Sequence, residues 1–459
     1  MIERARAWLN TPRDAAALAV FRIVLGLLVS VSAARFLAYG WVEQLFDTKF
    51  QFHYFGFGWV PWPGLEGVRA LFVALVVLGL MVAAGAAYRV ASVLTFVAFA
   101  WLQLLDVSNY LNHYYLVSLL LLLASFMPLH RLWSVDAWLR PSLRSDVLPA
   151  WCSALLKFQV GVVYFFAGLA KLNGDWLVHG APLHLWLSAR TSTPFIGPWL
   201  SAPEAALFMS WAGFLFDTSV PFFLLWKRAR PFAFAVVIVF HAMTRVLFPI
   251  GMFPFIMTLS ALVFFDASWP RLWLRRFRTT ATAPAPHPDP LPALQGVGRL
   301  SFFALGAYVV LQLVLPLRAH FYGGDVSWHE QGMRFSWRVM TREKNGSVTY
   351  IVKNRVGREW HVSPSQYLTR VQERELAVQP DLILQLGQHI GRDFDARGEG
   401  PVEVRADTLA SLNGRMATPL VDPHVDLMTV NDSLAKEAWV AAPTEGPPLS
   451  ALRRALARY

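Results

Sequence analysis

The chain has 459 residues, of which 55% are hydrophobic, 14% aromatic and only 15% charged, a balance that excludes an ordinary soluble domain. The formal net charge of +11 comes from arginines in short loops beside apolar segments rather than from one basic stripe with interleaved aromatics, which excludes a nucleic-acid-binding surface. Cys152 is the single cysteine, so no intramolecular disulfide exists.

In chain order, apolar stretches lie near 15–37, 68–88, 90–105, 113–129, 150–170, 204–226, 231–249, 251–267 and 299–317, and predict a polytopic α-helical membrane protein of about nine transmembrane helices. Several are shorter than the ~20 residues of a perpendicular span, which calls for tilting, partial burial or a broken helix. The first follows Arg4, Arg6 and Arg13, is too long for a signal-peptide core and precedes no small-residue cleavage site, so it is expected to stay in the membrane. With a cytoplasmic N-terminus, alternation places inside Arg4, Arg6 and Arg13, then Arg89, then Arg131, Arg140 and Arg144, then Lys227, Arg228 and Arg230, then Arg271, Arg275, Arg276 and Arg278. The other side carries chiefly Arg35, Lys49, Arg69, Lys171 and Arg190. Everything after Leu317 then lies outside: in the periplasm if the membrane is a bacterial inner membrane, in the lumen in a eukaryote.

Residues 279–292 (TTATAPAPHPDPLP) read as an extended Pro/Ala linker before the last helix of a membrane domain spanning 1–317. Residues 318–459 read as a small extracytoplasmic α+β domain. Ser347–Lys353 and Arg358–Val362 flank Asn354–Gly357 as strand, turn and strand, and Ser363–Ile390 carries Tyr367, Val371, Leu376, Leu382 and Leu384 at helical spacing.

Polar residues inside apolar sequence are the candidates for chemistry. Lys171 ends the run Val163–Ala170, where an ammonium is costly to hold charged and neutral amine, a base, becomes available. Asn112 and His113 stand at the mouth of a helix after the short turn that begins at Asp106. His241 and Arg245 lie inside one span and Asp217 inside another; in lipid, such groups turn inward and pair. Each has a bland alternative: an Asp217–Arg245 structural bridge, a packing role for His241, snorkelling for Lys171 and a cap contact for His113. No His/Cys/Asp/Glu cluster has metal-ligand spacing, and no P-loop, GxGxxG or GxSxG occurs. No internal repeat supports a transporter.

The string from Val163 to Trp176 (VYFFAGLAKLNGDW), with Asp106, Asn112-His113-x-Tyr115-Leu116, Trp133-Ser134-Val135-Asp136, Phe240-His241-x-Met243 and Leu247-Phe248-x-Ile250-Gly251-Met252-Phe253, resembles the vitamin K-dependent gamma-glutamyl carboxylases and their bacterial relatives, which share the horizontally transferred transmembrane domain. Outside the membrane part, Phe335-Ser336-Trp337 with Met340, the Ser347–Val362 hairpin, Ser411-Leu412-Asn413-Gly414-Arg415 and Asp422-Pro423-x-Val425-Asp426 continue the resemblance.

That resemblance implies an enzyme in which a neutral lysine, matched by Lys171, deprotonates vitamin K hydroquinone of the phylloquinone or menaquinone type. Oxygen then converts the quinol to its epoxide through a base strong enough to take a γ-proton from glutamate, and the carbanion captures carbon dioxide. It further implies that Asn112 and His113 hydrogen-bond the quinone oxygens, with His241, Trp337 and Met340 in quinone binding and Arg190 facing the glutamyl substrate. The implied partners are membrane lipid, a glutamate-containing protein or peptide and a quinone reductase for recycling, with no metal and no nucleic acid. Animal members have a second lysine where this sequence has Ala170, an aspartate at Asn173 and a long portion after the Asp422–Asp426 motif, so propeptide-type docking is not implied. The alternatives are a quinol epoxidase that does not carboxylate peptides, or a quinone- or lipid-binding protein without turnover.

Overall fold

The computed structural model describes residues 1–276 and 297–448. The apolar runs form the helices α1 (Ala16–Ala38), α2 (Gly64–Ala84), α3 (Tyr88–Leu105), α4 (Asn112–Phe126), α5 (Ala150–Leu169), α6 (Pro203–Leu225), α7 (Arg230–Leu247), α8 (Phe253–Ser260) and α9 (Arg299–Val314). Among the described residues seven helices are long and apolar enough to cross a membrane, or eight if a bent pair is one span. The expected nine thus become seven full-length helices, the 15-residue α4, and the stretch Phe253–Phe264, which meets Trp269–Arg275 at 93°. That break follows from the local sequence: Asp266 accepts from the Ser268 backbone N–H (3.1 Å) and Pro270 stands in the first turn of the next helix, so the first helix cannot run on. The expected linker at 279–292 lies outside the described residues.

Helices α1 and α2 touch backbone to backbone. A Cβ on Gly26 would stand 2.5 Å from the Gly79 carbonyl oxygen, and one on Gly79 would stand 2.8 Å from that of Gly26. Small residues at a crossing give membrane helices the close packing that hydrophobicity cannot supply in lipid. The turn from α2 to α3 is fixed by Asp136, whose two carboxylate oxygens accept from the Ala87 and Tyr88 backbone N–H groups at 2.8 Å each. The Trp133–Asp136 motif is thereby a structural clasp.

At this end of the bundle the strand β1 (Pro12–Asp14) pairs antiparallel with β2 (Val147–Pro149), and Arg271 bridges Asp14 (3.0 Å) and Asp146 (2.7 Å). At the opposite end sits the outer domain. Its antiparallel sheet has the order β4-β3-β5, with β3 (Lys344–Asn354) central, β4 (Glu359–Val362) and β5 (Val402–Leu412). Tyr350 pairs with Val362 on one side and Ala406 on the other. The helical run expected over 363–390 is two helices, α10 (Arg370–Leu376) and α11 (Pro380–Ala396), interrupted where Pro380 begins the second. The outer core of Tyr350, Leu382, Ile383 and Val404 also takes in Phe52 and Val107 from loops of the membrane part, so the two parts share buried surface.

Candidate functional site

Helix α5 stops at Leu169, and the chain turns so that Lys171 is only 5% exposed. Its Nζ donates to Asp217 Oδ2 at 2.8 Å and to the Ala167 carbonyl at 3.0 Å, lies 3.5 Å from the Val339 carbonyl, and sits 5.3 Å from the centre of the Trp176 ring. Asp217 is 7% exposed, about 21 Å along α6 from its start at Pro203. Lys171, just past the end of a full-length span, is therefore covered by Trp176 and the Val339 carbonyl rather than open at the outer surface. The expected Asp217–Arg245 bridge does not form: Arg245 is exposed, and Lys171 holds the carboxylate because Gly168 lets α6 approach. A Cβ at Gly168 would lie 2.5 Å from Thr218 Cγ2 and 2.7 Å from the Thr218 backbone nitrogen.

The Lys171–Asp217 pair forms the polar end of a cavity of about 400 Å³. Its wall is otherwise almost wholly apolar, with Trp186, Trp199, Phe208, Met209 and Phe240 prominent. His241 also lines it. Tyr164 Oη and His241 Nε2 are 3.0 Å apart, and His241 Nδ1 is buried without a partner. With Tyr164 donating to Nε2, the ring proton sits on Nδ1, which can then donate to a ligand oxygen. Buried polar atoms normally have partners, so an orphan in a cavity wall marks a place for one.

Asn112 and His113 line a different, neighbouring cavity of about 630 Å³, together with Arg35, Arg374 and Glu375. Ile250, Phe253, Val339 and Met340 line both cavities and so form the partition. The Phe253 ring centre is 5.9 Å from those of both His113 and His241. Asn112 is spoken for: its Nδ2 donates to the Arg338 carbonyl (3.2 Å) and its Oδ1 accepts from Tyr110 (3.1 Å). The His113 ring nitrogens have no hydrogen-bond partner among the described residues. Trp337, expected at the quinone, is 0% exposed and stacks on Tyr115 (4.7 Å); it lines neither cavity. Arg190, expected at the substrate, is half-buried just beyond the helix Ala181–Ser188 and also lines neither. Met340 lines both cavities.

Val339 and Met340, half of the partition, come from the outer domain. Phe335, Trp337 and Met340 all have left-handed backbones, with φ of 62°, 58° and 51°. Each costs on the order of 1 kcal/mol for a side-chain-bearing residue and persists only where the surroundings dictate it. Here Tyr110 accepts from the Phe335 N–H (2.8 Å), Asn112 holds Arg338 and Tyr115 stacks on Trp337, so the membrane helices grip the segment at three points. A second clamp joins the loop after Lys171 to the sheet: Asp175 accepts from Arg415 (2.6 and 2.7 Å) and from Asn413 (2.7 Å). Burial works against ionisation there, but those donors hold the Asp175 carboxyl below its usual range. A third joins buried Asp106 to Gln372 Nε2 (2.6 Å), and desolvation pushes Asp106 up to about 6.

Tyr164, Phe253 and the Gly168 contact were missed in the sequence. An intramembrane aspartate asks for a cation, which signals Asp217 without identifying its partner. Among the described residues no group of three His, Cys, Asp or Glu side chains is placed to hold a metal ion.

The model of the HTTM domain matches residues 10–269, and that of the vitamin K-dependent gamma-carboxylase lumenal domain matches residues 297–445. No solved structure matches the chain. Between them the two matches take in the helices around Lys171, the partition segment and the clamping sheet, and the chain belongs to the vitamin K-dependent gamma-carboxylase family.

Proposed function

We propose that this protein oxidises a reduced naphthoquinone to its epoxide and couples that oxidation to carboxylation of glutamate in an exported protein or peptide. The observation that carries the reading is a lysine amine, paired with a buried carboxylate, at the polar end of an apolar cavity. A flat, apolar, two-oxygen ring system suits an apolar wall with few polar groups, and the orphaned His241 Nδ1 suits one of its oxygens. When bound, the reduced quinone supplies, with oxygen, the electrons and the strong base that a γ-proton of glutamate requires.

In this mechanism Asp217, at 2.8 Å, first takes the ammonium proton, and the amine so freed takes the proton from a ring hydroxyl and returns to ammonium. Tyr164 and His241 orient the far oxygen. The neighbouring cavity takes the glutamate side chain, with Arg35 and Arg374 toward its carboxylate, in place of Arg190. His113, facing that cavity with free ring nitrogens, acts on the reacting face across Phe253. The Phe335–Met340 segment excludes water from both chambers. Membrane-flanking arginines gathered at the β1–β2 end support a cytoplasmic N-terminus and an outer domain in the periplasm or lumen.

The test is purified protein given vitamin K hydroquinone, oxygen, bicarbonate and glutamyl peptides. Epoxide together with a carboxyl mass gain on peptide is the expected result. Epoxide with no mass gain would leave a quinol epoxidase, and neither product would end the enzymatic reading.

A further inference from the structure

At the end of the bundle remote from Lys171, a cavity of about 880 Å³ opens between the start of α5, the end of α6 and the bend after α8. Four cations line it: Arg13, Lys157, Lys227 and Arg230. Of its two carboxylates, Asp14 is taken up by Arg271, and exposed Asp266 attracts Lys157, Lys227 and Arg230 without forming a salt bridge to any of them, which leaves the cations in excess. Asp14 accepts from Arg271 (3.0 Å) and from the Ala16 N–H (2.8 Å), and Asp266 accepts from Ser268 N–H (3.1 Å) and Oγ (2.8 Å). The Arg230 guanidinium is anchored on the Leu224 (2.7 Å) and Leu225 (3.1 Å) carbonyls. The Arg13, Lys157 and Lys227 side chains make no hydrogen bond or salt bridge among the described residues.

Lys157 is about 10 Å along α5 from Ala150 and half-buried. Arg230, Arg13 and Lys227 all repel its ammonium, with Asp266 alone attracting it. A cation at that depth in a spanning helix is costly unless an anion meets it, and among the described residues no carboxylate forms a salt bridge with it. Beside the cations, Phe165, Phe222 and Leu225 are exposed along the flank that faces hydrocarbon.

We propose that this cavity binds an anionic phospholipid, its phosphate held among Lys157, Lys227, Arg13 and Arg230 and its acyl chains laid along Phe165, Phe222 and Leu225. Soluble phosphates offer nothing to the apolar flank, and zwitterionic lipids carry a cation that the four basic groups repel. The site does not depend on the catalytic reading.

The test is thermal unfolding of the full chain in mild detergent with dioctanoyl phosphatidylglycerol, dioctanoyl phosphatidylcholine or glycerol 3-phosphate. Phosphatidylglycerol alone should raise Tm saturably at concentrations where the other two do nothing. The Lys157→Gln, Lys227→Gln pair should raise its half-saturating concentration on the order of ten-fold, and Lys157→Arg with Lys227→Arg should preserve it. Should the glutamine pair not fold, Lys227→Gln alone, in an exposed loop, should still shift it about three-fold. Equal stabilisation by phosphatidylcholine or by glycerol 3-phosphate, or glutamine variants with unchanged half-saturation, would overturn the proposal.

Discussion

Separating what Lys171 does for the fold from what it does for chemistry requires more than an alanine. Removing one partner of a buried ion pair leaves the other uncompensated and costs ~3–5 kcal/mol. The two ends of this pair are not equivalent. Asp217 has no donor but Lys171 among the described residues, whereas the ammonium also has the Ala167 and Val339 carbonyls and the Trp176 face. Lys171→Met should therefore sit near the ~5 kcal/mol end and Asp217→Asn near ~3 kcal/mol. Lys171→Met combined with Asp217→Leu, which removes both charges, should return to within ~1 kcal/mol of the parent. Lys171→Arg keeps the charge that Asp217 needs, so it should fold normally yet form no epoxide, since a guanidinium cannot give up its proton. Unfolding free energies from denaturant titration in mixed micelles, alongside epoxide yields, provide the readout. Additive losses in the double variant, or an active arginine variant, would refute the argument.

Gly168→Ala should cost ~1–3 kcal/mol by overpacking, because its Cβ would meet the Thr218 backbone nitrogen at 2.7 Å, and should slow epoxidation ~10²-fold by moving Asp217 off Lys171. Thr218→Ala should rescue it only in part, since the backbone contact remains; full rescue would place the strain in the side chain alone. Burial raises Asp106 from 3.8 to about 6, so the folded state holds a proton that the unfolded chain has released in that window. Its contribution should fall as pH rises from about 4 to about 6, by up to ~3 kcal/mol, seen as the difference between parent and Asp106→Asn in melts across that range. A flat difference would exclude the shift. For orientation, cysteines at exposed Ser142 and Ser347 should differ in labelling by an impermeant thiol reagent from outside, with only the second reacting and buried Cys152 silent. Equal labelling would remove the proposed topology.

Hydropathy gave away the helices because lipid demands long apolar runs, and the Asn354–Gly357 turn gave away the outer hairpin. Strand β5 escaped because its inward positions, Ala406, Thr408 and Ala410 among them, are too small to mark a period of two. Lys171 was legible as a cation out of place. Its burial was not, since a helix end covered by a later segment and one open to solvent have the same sequence signal. The division of Asn112 and His113 from Lys171 depends on Phe253 and on a segment more than 150 residues away, a contact no local pattern encodes. Trp337 lies in a family motif, but its stacking on Tyr115 and its absence from both cavity walls are set by the fold and have no signal in the local sequence.

The partition also imposes an order on biogenesis. Lys171 and Asp217 leave the ribosome long before Val339 and Met340, so an inserted but unfinished chain has the ion pair without the outer-domain half of the partition that covers it. The left-handed backbones at Phe335, Trp337 and Met340 have no reason to form until Tyr110, Asn112 and Tyr115 are there to hold them. The last contacts to form therefore join the first and last thirds of the chain, and a protein truncated before them would leave the Lys171–Asp217 pair without its outer cover.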